Sequence, residues 1–507
     1  MTRTLIIVAL VQWALLCSAQ IGYLDKSFGT NGKVLTSLGG NGVYPRQSSY
    51  TANNKILVLA RYNAPNSDIQ LLRYNSNGHL DNNFANGGIL SIVDTAANSD
   101  SYSASPVGYA EMNNGKIMVL MSMITTTNGT SVIKHKLVRY ESNGTIDQSF
   151  GTQGQIEFQL RDHVYGTQSF YKTEDENFII TGSVNTAEFK GSYAMKFDQN
   201  GNLDKSYGNN GFVNINLSLP NNFFEGAYKD RWDNLYFPIF SDYYPDNSET
   251  YIVKLKQDGQ YDNSFGNNGI QNISNFEVSE PKLYISSNKS IYLTGYHYAT
   301  NSNFTTLLVK LDSSGRPDSS FGTNGKADNP INDKSGLGHD IIELPTGQIL
   351  LSGVNSLVNN HQPMIASYSS TGQVEESFNF DGYIDINFNG GATSNGNFIE
   401  YNPMNGNAIF IGSSSKNLAL AAVKCANGAS INEFENVGTI YPNPSAGIFT
   451  IESELEFNSY RVLNSFGQVL INGTGKSIDC SKLSNGTYTL VITTDYQIYY
   501  KKLLKTD

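Results

Sequence analysis

Residues 22–34 read GYLDKSFGTNGKV, and close copies start at Gly78 (GHLDNNFANGGIL), Gly144 (GTIDQSFGTQGQI) and Gly201 (GNLDKSYGNNGFV). Three more begin at Gly259, Gly315 and Gly372. Aligned on their acid, the copies place Asp25, Asp81, Asp147, Asp204, Asp262, Asp318 and Glu375 at successive spacings of 56, 66, 57, 58, 56 and 57. So regular a period is the signature of a repeat architecture. The one long interval falls in the second unit, where Ile124 to Lys134 reads as an enlarged loop between two strands.

Within a unit the pattern predicts a strand after the motif (Lys33 to Ser37), a second at Val43 to Thr51, a turn at Asn53-Asn54, a third strand at Lys55 to Arg61 and a fourth at Asp68 to Tyr74. Apolar third strands recur at Lys116 to Met121 and Gln348 to Gly353. Turn residues between apolar or alternating runs are hairpin signals. Asn77-Gly78, Asn143-Gly144, Asn200-Gly201 and Asp258-Gly259 add a second turn, whose residues tolerate positive φ. Four strands in one repeat make an antiparallel sheet, and seven such sheets bury their faces when they stack radially. The expected fold is all-β, a seven-bladed β-propeller; a trefoil-like barrel or an open solenoid fits a four-strand unit less well.

The motif has a structural job. Phe28, Phe84, Phe150, Tyr207, Phe265, Phe321 and Phe378 are expected to pack between sheets. The acid three residues earlier is expected to accept backbone N–H bonds in the tight turn. One acid per motif is too few for the roughly six to eight oxygens that calcium takes, so no metal is expected. The LDxSFGxNG core at this spacing resembles the delta-60 repeat family over about Gly22 to Ile431. The resemblance implies a β-propeller and no common activity. The seventh copy departs from it, with Glu375, Asn379, Phe380 and Asp381 at motif positions.

After Ala426-Asn427-Gly428 the repeat stops, and residues 432–439 read as a linker. Residues 440–507 are expected to form a small Ig-like β-sandwich. They contain Tyr441-Pro442-Asn443-Pro444, Gly447, a hairpin from Tyr460 to Ile471 turning at Phe466-Gly467, Leu483 to Thr494 with Gly486 and Tyr488, and a basic end with Lys501 and Lys502. This segment resembles the type A C-terminal sorting domain of type IX secretion cargo. The resemblance implies a Bacteroidetes-type organism, the type IX machinery as partner, and a passenger (20–431) released or held at the cell surface.

The first 19 residues fit export as well. Arg3, the apolar run Leu5 to Leu16 and Cys17-Ser18-Ala19 read as a signal peptide, since the run is shorter than the roughly 20 residues of a membrane-spanning helix. No membrane insertion is expected. With 45 acidic against 34 basic side chains the formal charge is −11, which disfavours nucleic acid. Three cysteines, of which Cys425 and Cys480 lie beyond the leader, are too few for a disulfide framework or a thiolate zinc site.

Catalytic motifs are absent: the sequence has no HExxH, nucleophile elbow, phosphate loop or dinucleotide fingerprint. His79, His135, His163, His297, His339 and His361 are scattered and read as surface or loop residues, and no cofactor is expected. Asp162-His163 and His339-Asp340 are local acid–imidazole neighbours, but adjacent strand residues point to opposite faces and make no dyad. Asp385, Asn387, Asn389 and Gly390 imitate a calcium loop without its closing glutamate. Tyr243, Tyr244, Tyr296 and Tyr298, with Tyr292, offer a sugar-binding platform, weighed against ordinary strand packing. Trp232 reads as core. The first expectation is a binding module for a glycan, surface polymer or protein. A polysaccharide-active enzyme with acids from different blades, and a structural envelope protein, stay open.

Overall fold

The computed structural model describes residues 21–39, 42–51, 53–62, 69–92, 101–128, 130–159, 166–185, 190–217, 219, 222–224, 226–241, 249–298, 304–327, 335–357, 360–388, 398–425, 432–433, 438–453, 457, 459–464, 469–493 and 498–507. The leader expected at Met1–Ala19 lies outside them. The chain divides into two compact units, a repeat region and a C-terminal region.

The repeat region is built of antiparallel sheets. The first contains Val43–Tyr50, Ile56–Tyr62, Ile69–Tyr74 and Ile89–Ile92 in that order. The second (Ser101–Glu111, Ile117–Thr127, Thr130–Tyr140, Gln155–Phe158) and third (Thr167–Lys172, Phe178–Asn185, Lys190–Phe197, Phe212–Ile215) repeat it. The fourth starts with two short pieces, Asn222–Phe224 and Tyr228–Lys229, before Leu235–Ser241, Glu249–Leu255 and Ile270–Asn272. The fifth runs Ser279–Ile285, Ile291–Tyr298, Phe304–Leu311, and the sixth Ser335–Glu343, Ile349–Leu357, Asn360–Tyr368, Tyr383–Asp385. In the seventh, Phe398–Asn402, Asn407–Ser414 and Asn417–Lys424 are completed by Lys33–Ser37, with Lys33 opposite Ala421.

This pairing corrects the phase of the repeat. The strand after each motif belongs to the three strands before it, so a sequence unit straddles two sheets. The backbone shows why: the acid's N–H bonds the carbonyl eight residues earlier, as in Asp81 to Arg73 and Asp318 to Lys310, which folds the motif back on its own sheet. In the first copy Asp25 N–H instead bonds Ala422, at the other end of the repeat region. A second correction concerns Ile124 to Lys134. This stretch is paired strand, with Ile124 opposite Ile133 and Thr127 opposite Thr130. Its threonines and β-branched residues suit a pleated ladder, and Asn128, at φ 50°, begins the turn.

Apolar clusters join successive sheets. Leu57, Phe84, Val119 and Val138 link first to second, Leu120, Phe150 and Ile180 second to third, and Ile179, Tyr207 and Phe237 third to fourth. Tyr236, Phe265 and Leu293 continue to the fifth, and Leu308, Phe321 and Leu351 to the sixth. Phe388 meets Phe410 between sixth and seventh, with ring centroids 6.3 Å apart, and Phe28, Val43, Ile56, Ile409 and Leu418 close seventh on first. The ring is a β-propeller.

The motif aromatics are among the most buried side chains, from 0% exposed for Phe84, Phe265, Phe321 and Phe378 to 3% for Phe150. All but Phe150 touch the next copy's turn glycine; Gly201 meets Ile156 instead. A Cβ on Gly315 would lie 2.7 Å from Phe265, and one on Gly372 3.0 Å from Phe321. A Cβ on Gly22 would lie 2.7 Å from Phe378, which carries the pattern from the last copy to the first. These glycines also hold φ near +80° to +90°, so two constraints exclude a side chain. Asp25, Asp147, Asp204, Asp262 and Asp318 each accept the N–H and hydroxyl of the serine two residues on.

The motif also uses a basic residue that the sequence reading did not single out, eight positions before the acid. Arg73 bonds Asp81 at 2.9 Å, Arg139 bonds Asp147 at 2.6 Å, and Lys254 and Lys310 pair with Asp262 and Asp318 at 2.8 and 3.1 Å. Arg73 and Arg139 also lie 4.3 and 4.6 Å from the centroids of Phe84 and Phe150. The Lys116 and Ser149 hydrogen bonds hold the Asp147 carboxyl well below the usual range.

In the C-terminal region, Asn432–Glu433, Ile498–Lys505, Gly486–Thr493, Ser459–Leu463 and Val469–Gly473 make one sheet, and Gly438–Tyr441, Ile448–Ser453 and Ser477–Asp479 a second. The segment read as a linker thus supplies strand residues at both ends. Phe449, Ile451, Val462, Ile478, Leu490 and Leu503 form the core. Both X-Pro bonds of Tyr441-Pro442-Asn443-Pro444 are cis. Asn443 works as a surrogate strand: its Nδ2 donates to Lys502 O at 2.7 Å and its Oδ1 accepts from Leu504 N at 2.9 Å. Ser445 continues the pairing with Leu504 and Thr506. Gly447 sits where a Cβ would meet the Ser481 Cα at 2.9 Å, and the buried Tyr488 donates its hydroxyl to Ser484 O at 2.7 Å. Lys501 and Lys502 stand opposite Leu490 and Thr489 on the last strand. Gly467 lies outside the described residues. Cys425 and Cys480 are buried free thiols.

Candidate functional site: the axial charge cluster

The first strand of each sheet lies at the propeller axis. Arg46 of the first sheet donates from Nη2 to Gln168 O of the third at 2.7 Å, passing over the second. Such a bond is possible only where the ring is narrow. In several of these strands one residue bulges out of register: Arg46, Val107, Gln168 and His339 are each the extra residue against the neighbouring strand. A bulge re-aims a side chain that regular pleating would hold in the ladder.

Hydrogen bonds connect these strands around the axis. Asp340 of the sixth sheet accepts from Ile341 N at 2.9 Å and from Ile399 N of the seventh at 3.0 Å. The next residue, Glu400, accepts from Ser48 Oγ of the first sheet at 2.8 Å. Gln47 exchanges two bonds with the Tyr109 backbone, 2.8 and 3.0 Å, and Tyr109 shares its hydroxyl with Ser49 at 2.6 Å. Tyr171 of the third sheet donates to Ala227 O, beside Tyr228 of the fourth. Lys282 and Tyr284 come from the fifth. Hydrogen bonds thus tie the first strands of the sixth, seventh, first and second sheets in turn, of the first and third across the ring, and of the third and fourth, while Lys282 and Tyr284 of the fifth feel the charge of Asp340.

These groups border solvent while protein surrounds them: Arg46 is exposed, and Tyr171, Tyr228, Lys282, Tyr284, Asp340 and Glu400 are half-buried. Low-dielectric walls strengthen their mutual fields. Desolvation raises the Asp340 carboxyl to about 7, against two N–H bonds and Lys282 that favour ionisation. Desolvation also raises Glu400 to about 7, opposed by Ser48 and helped by Asp340. Lys282 falls to about 8, through desolvation and then repulsion from Arg46. Tyr171 and Tyr284 rise to about 12 by burial.

The raised carboxyls fix a sign for pH dependence. Between their ordinary values near 4 and about 7 the folded state binds more protons than the unfolded one, so stability falls as pH rises through this window. Urea midpoints measured from pH 4 to pH 8 should record this decline beneath the other titrations. Asp340→Asn should flatten its slope; an unchanged slope would place the carboxyl in ordinary solvent.

The residues singled out from sequence fare differently. Tyr243 and Tyr244, with Asp162 and His163, lie outside the described residues, as do the side chains of Tyr298 and His361. Tyr296 reaches Glu280 at 3.3 Å, and the fully buried Tyr292 bonds Glu343 at 3.0 Å between sheets. The tyrosine platform is thus not assembled among the described residues. His135 corrects the surface reading: it is 1% exposed, stacks on Phe158 and lies 2.5 Å from Thr167 Oγ1, because its strand faces the next sheet. Burial pushes it down to about 4. Trp232 is not core either. It sits half-buried on a turn, with Lys289 and Arg231 at 4.6 and 4.8 Å from its ring. A separate cleft of about 400 Å³ lies at the ring closure, lined by Lys33, His79, Leu35 and Phe388, but it lacks the convergence of ionisable groups found at the axis. Among the described residues no three His, Cys, Asp or Glu side chains group as a metal site.

Comparison with known proteins adds two family matches. Residues 439–506 match the secretion system C-terminal sorting domain, and residues 51–84 match the beta-propeller domain of unknown function DUF5122. No curated protein matches the chain. Among solved structures it is similar to a PL25 ulvan lyase (10% identity, TM-score 0.46, covering 81% of this chain and 97% of that one). It is also similar to Drosophila Semaphorin 2a (9%, 0.46, 95% and 98%) and to prolyl oligopeptidase B from Galerina marginata (11%, 0.43, 89% and 56%). The sorting domain identifies type IX cargo, exported to the medium or the cell surface and engaged by that machinery. The chain is therefore a secreted or surface-attached β-propeller with a DUF5122 match, carried by a C-terminal sorting domain of the type IX system.

Proposed function

We propose that this protein is a binding module of the cell surface or its surroundings, exported with a leader at Met1–Ala19 and docking a glycan, envelope polymer or protein at the axial cluster. The observation that carries the reading is that Arg46, Ser48, Tyr171, Tyr228, Lys282, Asp340 and Glu400 all lie on the first strands of six sheets, with hydrogen bonds joining several of those strands around the axis. An exported scaffold with a rigid core and a concentration of polar groups at one place is suited to recognition. The repeat acids and aromatics serve the scaffold. The test is a glycan and envelope-polymer array probed with the full chain and with Arg46→Ala. A saturable hit weakened at least tenfold by the substitution supports the reading, and a hit indifferent to Arg46 moves the site elsewhere.

A second reading, a polysaccharide-active enzyme, draws on Asp340 and Glu400, because a carboxyl near 7 is suited to general acid work at neutral pH. Release of new reducing ends or unsaturated products from a bound polymer, abolished by Glu400→Gln, would favour it over binding alone.

A further inference from the structure

The turns that join the first strand of a sheet to its second share one form. The N–H of Gly115, Asp233, Lys289 and Gly347 each bonds the carbonyl three residues earlier. The residue just before it closes the turn with a side-chain oxygen that accepts the N–H two residues on. Asn114 takes Lys116 N at 3.1 Å, Asn288 takes Ser290 N at 3.0 Å and Thr346 takes Gln348 N at 3.4 Å. In the longer turn of the seventh sheet Asn405 takes Asn407 N at 3.1 Å. The fourth sheet has Trp232 at this position, and an indole, whose one polar group is a donor, cannot make that bond. Asp230 makes it instead: its Oδ1 accepts from Asn234 N and from Trp232 N, both at 2.9 Å. The turn is complete without the tryptophan side chain. A large apolar ring with no part in closing its own turn breaks a local rule, and such breaks concentrate at functional sites.

The ring also has company. Lys289, from the equivalent turn of the fifth sheet, holds its ammonium 4.6 Å from the ring centroid, and Arg231 holds its guanidinium carbon at 4.8 Å. Both basic residues are exposed and the indole is half-buried. The carboxylates of the turn do not answer these charges. Asp230 is 4% exposed and bound as above, and Asp233, 8% exposed, accepts from Lys229 Nζ at 2.6 Å and from Glu174 N at 2.9 Å. Among the described residues Lys289 forms no ion pair. Two cations thus share one indole in a chain whose net charge is −11. The ring's electron-rich faces offset part of their repulsion, and an anion would remove it.

We propose that Trp232, Lys289 and Arg231 form a binding site for an acidic saccharide, at the turns between the fourth and fifth sheets rather than along the first strands. The C–H face of a pyranose packs on the indole, and its carboxylate or sulfate pairs with the ammonium and the guanidinium fork. The cations ride on long exposed stems, and a cation–π contact at an exposed site is weak enough to give way to a sugar ring. The site is additional to the axial cluster and shares no residue with it.

The exported chain, from Gln20 onward, has Trp232 as its sole tryptophan, so its emission reads this site. The experiment titrates that chain at pH 7 with oligogalacturonate, its methyl ester, dextran sulfate and dextran, by fluorescence and calorimetry. An acidic polymer should bind and shift the emission, with its neutral counterpart about tenfold or more weaker, as the loss of one charged pair gives. Raising the salt from about 50 to about 500 mM should weaken the binding, since the charges are exposed. Binding of oligogalacturonate identifies a carboxylate ligand, and binding of dextran sulfate alone a sulfate one. Trp232→Asn installs the residue type of the equivalent turns. It should keep the wild-type urea midpoint, followed by circular dichroism, and both it and Lys289→Met should bind about tenfold or more weakly. A lowered midpoint with affinity kept makes the indole a packing group between sheets, as Asn113 N and Glu176 Oε1 tie the second turn to the third at 2.9 Å, and overturns the site. Should Trp232→Asn fail to fold, the wild-type emission and Lys289→Met decide. Equal affinity for acid and ester, or binding that neither shifts the emission nor depends on Lys289, overturns the site and leaves the axial reading to its own Arg46 test. No binding of the four polymers overturns it too.

Discussion

Phe321→Ala should lower propeller stability by about 3–5 kcal/mol, the range for a fully buried phenylalanine truncated to alanine. The ring is 0% exposed, meets Tyr292 edge-on at 6.0 Å, and has Lys310 5.8 Å from its centroid. Below it the Gly372 turn approaches too closely for a Cβ, so backbone rather than a movable side chain borders the cavity. Backbone held in a turn at φ +81° relaxes poorly, which argues for the upper part of the range. Phe380 supplies the control. It is an aromatic of the seventh copy but 78% exposed, and its replacement by alanine should stay within about 0.5 kcal/mol. Urea midpoints followed by Trp232 fluorescence report on the propeller for both variants. A Phe321→Ala midpoint as close to wild type as that of Phe380→Ala would overturn the role assigned to the motif aromatic.

Deleting residues through Leu38 should abolish cooperative folding of the propeller. This removes the outer strand of the seventh sheet, Lys33–Ser37, and with it Phe28, which is 1% exposed among Val43, Ile56, Ile409 and Leu418. The deletion leaves the Asn417–Lys424 edge unpaired and opens an apolar seam between the first and last sheets. An unpaired edge next to apolar surface invites association. Size-exclusion chromatography should find soluble aggregates and no sharp unfolding transition. A synthetic peptide spanning 21–38 should restore a monomer when added in trans, because the missing piece is a strand and not a covalent link. A truncated chain that stays monomeric with the wild-type midpoint would mean that the ring holds without its closing strand.

Much of the scaffold was legible in the sequence because its rules are local. The acid, aromatic and glycine of each motif lie within a few residues of one another, and the same contacts recur at most copies. The basic partner was legible too, at a fixed eight residues before the acid, as at Arg73 and Lys310, but a motif read forward from its glycine leaves it out. The extended hairpin at Ile124 to Lys134 was read as loop because its threonines and Asn128-Gly129 suggest a turn, whereas the β-branched alternation on both sides carries the ladder to the tip.

The sequence by itself determined the repeat, the β character, and the sorting region with its Tyr441-to-Gly447 opening. Each depends on neighbours in the chain and on turns that only certain residues can make. The tertiary structure decided where each sheet begins and ends, since the strand after a motif is assigned by the hydrogen bonds of the strand before it. It also decided the axial cluster. Arg46, Lys282, Asp340 and Glu400 share no motif and come from four different repeats. They meet only because closing a ring of sheets carries every first strand to one axis, and bulges there turn selected side chains away from the ladder.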